Sequence, residues 1–131
     1  MTKSNMKPIL ILTFTLMAVL PLISHAKAYP TREATCYFFK GNKLQKKTRC
    51  VVQGAGGAGG YEVQIKLASG KTYRAGTYTS AGNQYAFIGD EPARDYERDK
   101  SLKVVRDIDT ESAMKCFRAD NKKVDLCFTW E

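Results

Sequence analysis

Hydrophobic and polar residues alternate from Tyr61 to Leu67, with Tyr61, Val63, Ile65 and Leu67 on one side and Glu62, Gln64 and Lys66 on the other. A period of two predicts a half-buried β-strand. Ser69-Gly70 marks a turn after it, and Lys71 to Thr79 continues as a second strand rich in threonine and tyrosine. Short runs at Gln84 to Ile88 and Ser101 to Val105 carry the same strand preference. Two hairpin signals flank this region. Gly41-Asn42 follows Tyr37-Phe38-Phe39 and precedes a basic stretch, while Asp120 to Lys123 separates two short strands, with Asn121 and Lys122 as the loop. About eight short strands divided by glycine or polar turns predict an all-β domain, a small antiparallel β-barrel or sandwich. Arg94 to Lys100 is the one stretch left for a helical turn.

The N-terminus follows a different pattern. Lys3 and Lys7 precede an apolar run from Ile9 to Ile23, and small residues end it at Ser24-His25-Ala26 and Ala26-Lys27-Ala28. This is the layout of a secretory signal peptide, and the run is shorter than the ~20 apolar residues of a membrane span. Residues 1–26 are therefore predicted to be a signal peptide, with cleavage after 28 as the alternative, and residues 27–131 a single disulfide-bonded β domain. Removing 1–26 takes away two lysines and no acid, which lowers the formal charge from +8 to +6. It also removes His25, the only histidine of the chain. The expected location is the periplasm or the secreted space, with no stable membrane insertion after cleavage.

Export decides how the cysteines are read. Cys36, Cys50, Cys116 and Cys127 are an even number in a small domain, which predicts two disulfides. Cys36 and Cys50 flank the first hairpin turn and Cys116 and Cys127 the second, so local pairing 36–50 and 116–127 is expected, with a bridge between the two hairpins as the open alternative. No Cys-x-x-Cys spacing occurs, so no metal site is expected.

Catalysis has little to draw on. Without histidine and with the cysteines oxidised, the histidine-assisted nucleophile sites are excluded. Asp90, Glu91, Asp95, Glu97 and Asp99 cluster, but Arg94, Arg98 and Lys100 alternate with them, and the segment reads as a solvated charged face. Asp107, Asp109 and Glu111 read as a charged turn, since the glycine and final glutamate of a calcium loop are missing. Gly54, Gly56 and Gly59 form a G-x-G-x-x-G, yet a strand pattern follows where a dinucleotide site needs a helix. The 54–60 stretch is accordingly read as a flexible connection between strands or a close backbone approach to a partner. No cofactor is expected, and the chain is not expected to be an enzyme, with a small carboxylate-dependent hydrolase as the alternative.

The basic side is more distinctive. Lys40, Lys43, Lys46, Lys47 and Arg49 crowd the first hairpin beside Tyr37, Phe38 and Phe39. Lysines interleaved with aromatics suit nucleic acid in a cytoplasmic protein, but an exported one meets acidic proteins or anionic envelope polymers instead. An acidic protein partner is the expectation, with no nucleic acid. Phe38 and its neighbours also serve as core residues in this reading, with the lysines keeping an edge strand soluble.

Ser69-Gly70-Lys71-Thr72-Tyr73-Arg74-Ala75-Gly76 resembles the Ser-Gly-x-x-Tyr-x-x-Gly segment of the periplasmic inhibitors of c-type lysozyme, the MliC/PliC family. The likeness covers eight residues, and Ala81 stands where that family carries a downstream lysine. It implies a small exported antiparallel barrel with a disulfide, and a role for Ser69 in plugging an enzyme cleft. More broadly, the small size, export, disulfides, basic charge and lack of catalytic equipment resemble periplasmic immunity proteins. The expected function is thus that of a non-catalytic inhibitor or immunity protein, binding through Lys40, Lys43, Lys46, Lys47, Arg49, Ser69, Gly70 and Tyr73.

Overall fold

The alternating segments form the strands β1 (Lys27–Ala28), β2 (Arg32–Lys40), β3 (Lys43–Gly57), β4 (Gly60–Leu67), β5 (Thr72–Ser80), β6 (Asn83–Ile88), β7 (Glu91–Arg98), β8 (Met114–Ala119) and β9 (Asp125–Thr129). The structure, a computed structural model, describes residues 27–28, 30–57 and 59–129, so the predicted signal peptide lies outside the described residues. Strands β2 to β9 pair antiparallel in chain order, and β9 returns to pair with β2. Eight strands therefore close a ring, and the sandwich alternative falls away. The short β1 adds to β3 at Gly56 and Ala55.

Alternation along each strand sorts residues to the two faces of the ring. Val63, Ile65, Ala75, Phe117, Leu126 and Phe128 are fully buried and fill the interior. The Cys36–Cys50 disulfide lies among them. The neighbouring row Tyr37, Cys127, Cys116 and Tyr96 faces the other way, by the register of β2, β9, β8 and β7. Here the Cys116–Cys127 disulfide joins Phe39 and Met114 in a second, outer core, against which Leu102 packs. Both disulfides have the predicted local pairing, and none of the four cysteines is free.

The turns fall where the dipeptides put them. Gly41, at φ 65°, and Asn42 are the two-residue loop between the paired Lys40 and Lys43. Gly70, at φ 98°, closes the β4–β5 turn by donating its amide to the carbonyl of Leu67. These left-handed conformations cost glycine little because it lacks a Cβ.

Four expectations need correction. Arg94 to Lys100 is not a helical turn: residues up to Arg98 form β7, whose register against β8 runs from Ala93↔Ala119 to Arg98↔Met114. Cross-strand pairing outweighs the weak helical preference of a charged segment. Nor is that segment wholly solvated, since Arg98 is 1% exposed. Ser101 to Val105 is not a strand; Asp99 accepts the amides of Ser101 and Lys103, Leu102 adopts φ 70°, and only Val104 bridges back to Arg98. The acceptor side chain of Asp99 wins the local backbone donors and turns the chain. Finally, Gly54 to Gly57 is no loose connection but the end of β3, paired with Val63 to Gly60 of β4. It stays extended because two flanking backbones, β1 and β4, supply its hydrogen bonds.

Candidate functional site

Part of the predicted surface is drawn together at one point. Phe38 on β2 and Tyr73 on β5 lie in ring contact, with centroids 5.8 Å apart. Phe38 pairs across the hairpin with Lys46, whose ammonium sits 5.5 Å from the Phe38 ring, and the ammonium of Lys71 sits 4.9 Å from the Tyr73 ring. The result is a row, Lys46, Phe38, Tyr73 and Lys71, with both rings half-buried against the interior core and both amines in solvent. Cation–π attraction of ~0.5–1 kcal/mol at such exposed sites favours this placement. Next to it, the Ala68 amide donates to the Arg49 carbonyl at 3.1 Å, which ties the Ser69–Gly70 turn to the basic hairpin. Ser69 is exposed in that turn and its Oγ accepts the Lys71 amide at 3.4 Å.

The other predicted residues are distributed differently. Lys47 and Arg49 alternate with Lys46 and Thr48 along β3 and therefore occupy its opposite face. Lys47 sits 5.7 Å from the ring of its cross-strand neighbour Tyr37, and the Arg49 guanidinium forms an ion pair with Glu33. Lys40 and Lys43 flank the hairpin tip, both exposed. The structure thus unites Lys46, Ser69, Gly70 and Tyr73, keeps Arg49 in touch through its backbone, and leaves Lys40 and Lys43 at the tip and Lys47 on the opposite face of β3. Lys71 belongs with the first group although the sequence reading passed over it; its signal was its place two residues before Tyr73 on an alternating strand.

A second polar group was not legible at all. Arg98 donates to the Leu102 carbonyl at 2.8 Å, to the Gly41 carbonyl at 3.4 Å and to the Tyr96 hydroxyl at 3.0 Å. The Tyr96 hydroxyl donates in turn to Oδ1 of Asp125, while Oδ2 of Asp125 stands 4.0 Å from Arg98. Burial raises the Asp125 carboxyl above its ordinary range, against the opposing effects of the Tyr96 hydrogen bond and the positive charge of Arg98 and Arg118. Burial also pushes the Tyr96 phenol up to about 12, with the hydrogen bond to Asp125 adding to it. This network joins four elements, the β2–β3 turn, β7, the 99–113 segment and β9, and its part is to hold them.

Among the described residues, no group of three or more His, Cys, Asp or Glu side chains is placed to hold a metal ion, and no helix is long and apolar enough to cross a membrane. The two disulfides fit an oxidising, extracytoplasmic environment. Compared with protein-family models, curated proteins and solved structures, the chain matches none of them.

Proposed function

We propose that this chain is a non-catalytic protein-binding domain of the periplasm or the secreted space, an inhibitor or immunity protein that neutralises an envelope-targeting enzyme or toxin with an acidic surface. The observation that carries this reading is the Phe38–Tyr73 contact flanked by Lys46 and Lys71, which joins the basic hairpin and the Ser69 turn in one surface. Lysines around the hairpin tip raise the encounter rate with an acidic partner, and half-buried rings at the centre supply the area that slows release. The short likeness of Ser69 to Gly76 to lysozyme inhibitors agrees with a turn that enters a cleft.

The test is kinetic. With an envelope protein captured on the immobilised domain and then purified, changing Lys43, Lys46 and Lys47 together to glutamine should slow association by about tenfold at low salt. Tyr73→Ala should mainly speed dissociation, by a similar factor. If both variants bind like the parent, the surface is wrongly assigned. If the purified domain instead cleaves envelope glycans and loses that activity on Asp→Asn or Glu→Gln changes, the non-catalytic reading is overturned.

A further inference from the structure

Away from the basic hairpin, the outer face of β4, β5 and β6 carries an open groove of about 990 Å³, floored by Gly56, Gly57 and Gly60 and walled by Tyr78, Phe87 and Pro92. A second hollow of about 440 Å³ adjoins it and shares Tyr78, Ala86 and Pro92. Tyr78 and Tyr85 stack with centroids 5.3 Å apart, Phe87 tilts against Tyr78 at 6.2 Å, and each tyrosine is 45% exposed. Exposed aromatics gathered in a concavity are a mark of interaction sites.

Charge narrows the partner. Five carboxylates line the two hollows, Glu62, Asp90, Glu91, Asp95 and Asp120, against two cations, Arg74 and Arg94. On a chain of formal charge +8 with only 13 acids, that is a concentrated reversal of sign. Part of the groove already holds a cation of its own: the Arg74 guanidinium lies 4.9 Å from the Phe87 ring while its Nε donates to Glu62 at 2.7 Å. Beyond it the same components recur. Tyr78 has no cation of the described residues over its ring, and Asp90 and Glu91 are exposed and make no ion pair among the described residues.

The backbone indicates how the cation is presented. β6 and β7 are joined by only three residue pairs, Ala86↔Ala93, Phe87↔Pro92 and Ile88↔Glu91. Past them the two strands separate: Asn83 to Tyr85 pair only with β5, and Arg94 to Tyr96 only with β8. Further along β7 the free side is taken, because the Val105 amide donates to Glu97 and the Asp99 amide to Lys103. A short stretch of strand edge thus opens beside the aromatic stack, and such edges accept extended peptides by main-chain hydrogen bonding.

We propose that this groove docks an extended, lysine- or arginine-bearing peptide segment of a partner protein. The segment adds to the β6 edge at Asn83 to Tyr85 and places its cationic side chain between Tyr78 and the carboxylates of Asp90 and Glu91. The site is separate from the basic surface and stands or falls without it.

The proposal is tested by titrating the isotope-labelled, disulfide-bonded protein with four probes: a ten-residue peptide alternating lysine and threonine, its glutamate counterpart, spermidine and chitotetraose. The lysine peptide should shift the amides of residues 83–85 and 94–96 and the ring signals of Tyr78. Its binding should weaken with salt and drop about fivefold in Asp90→Asn/Glu91→Gln and again in Tyr78→Ser. These positions are exposed, and a parent-like thermal transition serves as the folding control. Spermidine binding as tightly as the peptide removes the strand addition and overturns the proposal. So does comparable binding of chitotetraose or of the glutamate peptide, a lysine-peptide response confined to residues 40–49, or no response to the lysine peptide.

Discussion

The Arg98 guanidinium carbon lies 3.8 Å from the centre of the Phe39 ring, and these two residues join strands β7 and β2, which are not neighbours in the sheet. Arg98 is also 5.2 Å from the Tyr96 ring and donates to the carbonyls of Gly41 and Leu102. A fully buried cation thus fastens the basic hairpin and the 99–113 segment to the outside of the ring.

Removing it should be costly. Arg98→Ala strips the buried Asp125 of its charge partner and leaves the Gly41 and Leu102 carbonyls without this donor, which should lower unfolding stability by about 3 kcal/mol. Adding Asp125→Asn should restore part of that loss, because the stranded carboxylate goes with it. Urea unfolding of the two single variants and the double variant measures the coupling. An Arg98→Ala protein as stable as the parent would contradict the clamp.

Gly76 gives a sharper steric test. A Cβ there would stand 2.2 Å from the Tyr61 carbonyl oxygen and 2.9 Å from the Glu62 Cα, both backbone atoms of β4. The Phe87 ring, on the residue paired with Gly76, covers the position at 3.1 Å. Gly76→Ala should therefore force β4 and β5 apart and cost about 2 kcal/mol or more. Gly82→Ala, whose Cβ meets nothing within 4 Å but whose φ is +82°, should cost less, about 1–2 kcal/mol of backbone strain. Thermal melts of the two variants decide the order.

The Tyr96–Asp125 pair predicts two pH windows. Tyr96 holds its proton to about 12 in the folded chain, whereas the unfolded chain releases it near 10. The folded state then binds more protons between those values, so stability should be intact below pH ~10 and fall as pH rises toward 12. Asp125 is shifted the same way, and its contribution should be best at acidic pH and decline as pH rises from the ordinary carboxylate value through its raised one. Tyrosinate absorbance and urea midpoints across pH report both. Tyr96→Phe should remove the alkaline slope and Asp125→Asn the acidic one.

Much of the ring could be read from residue order. The alternation at Tyr61 to Leu67, the Gly41-Asn42 turn and the paired cysteines are local signals, and each acts through neighbours a few residues away. β7 escaped because Asp95, Glu97 and Arg98 carry no apolar rhythm. Its strand form depends on β8, and Arg98 is buried by residues as distant as Gly41. The basic hairpin and the Ser69 turn were legible one at a time, whereas the Phe38–Tyr73 contact that joins them follows from register across four strands. The Tyr78–Tyr85 stack is likewise a cross-strand pair, set by where the β5–β6 turn falls.

The joint where the ring closes has a consequence for how the protein matures. β9 meets β2 through only three residue pairs, from Cys36↔Phe128 to Phe38↔Leu126, while each disulfide links strands consecutive in the chain. Each cross-link lies within its own hairpin, so oxidation has no need to wait for the first and last strands of the ring to find each other. A chain emerging into an oxidising compartment can lock its two hairpins in either order, and closure then proceeds between parts already stiffened. Mispairing is suppressed by proximity, since the correct partners are 14 and 11 residues apart in sequence and the wrong ones lie on different hairpins.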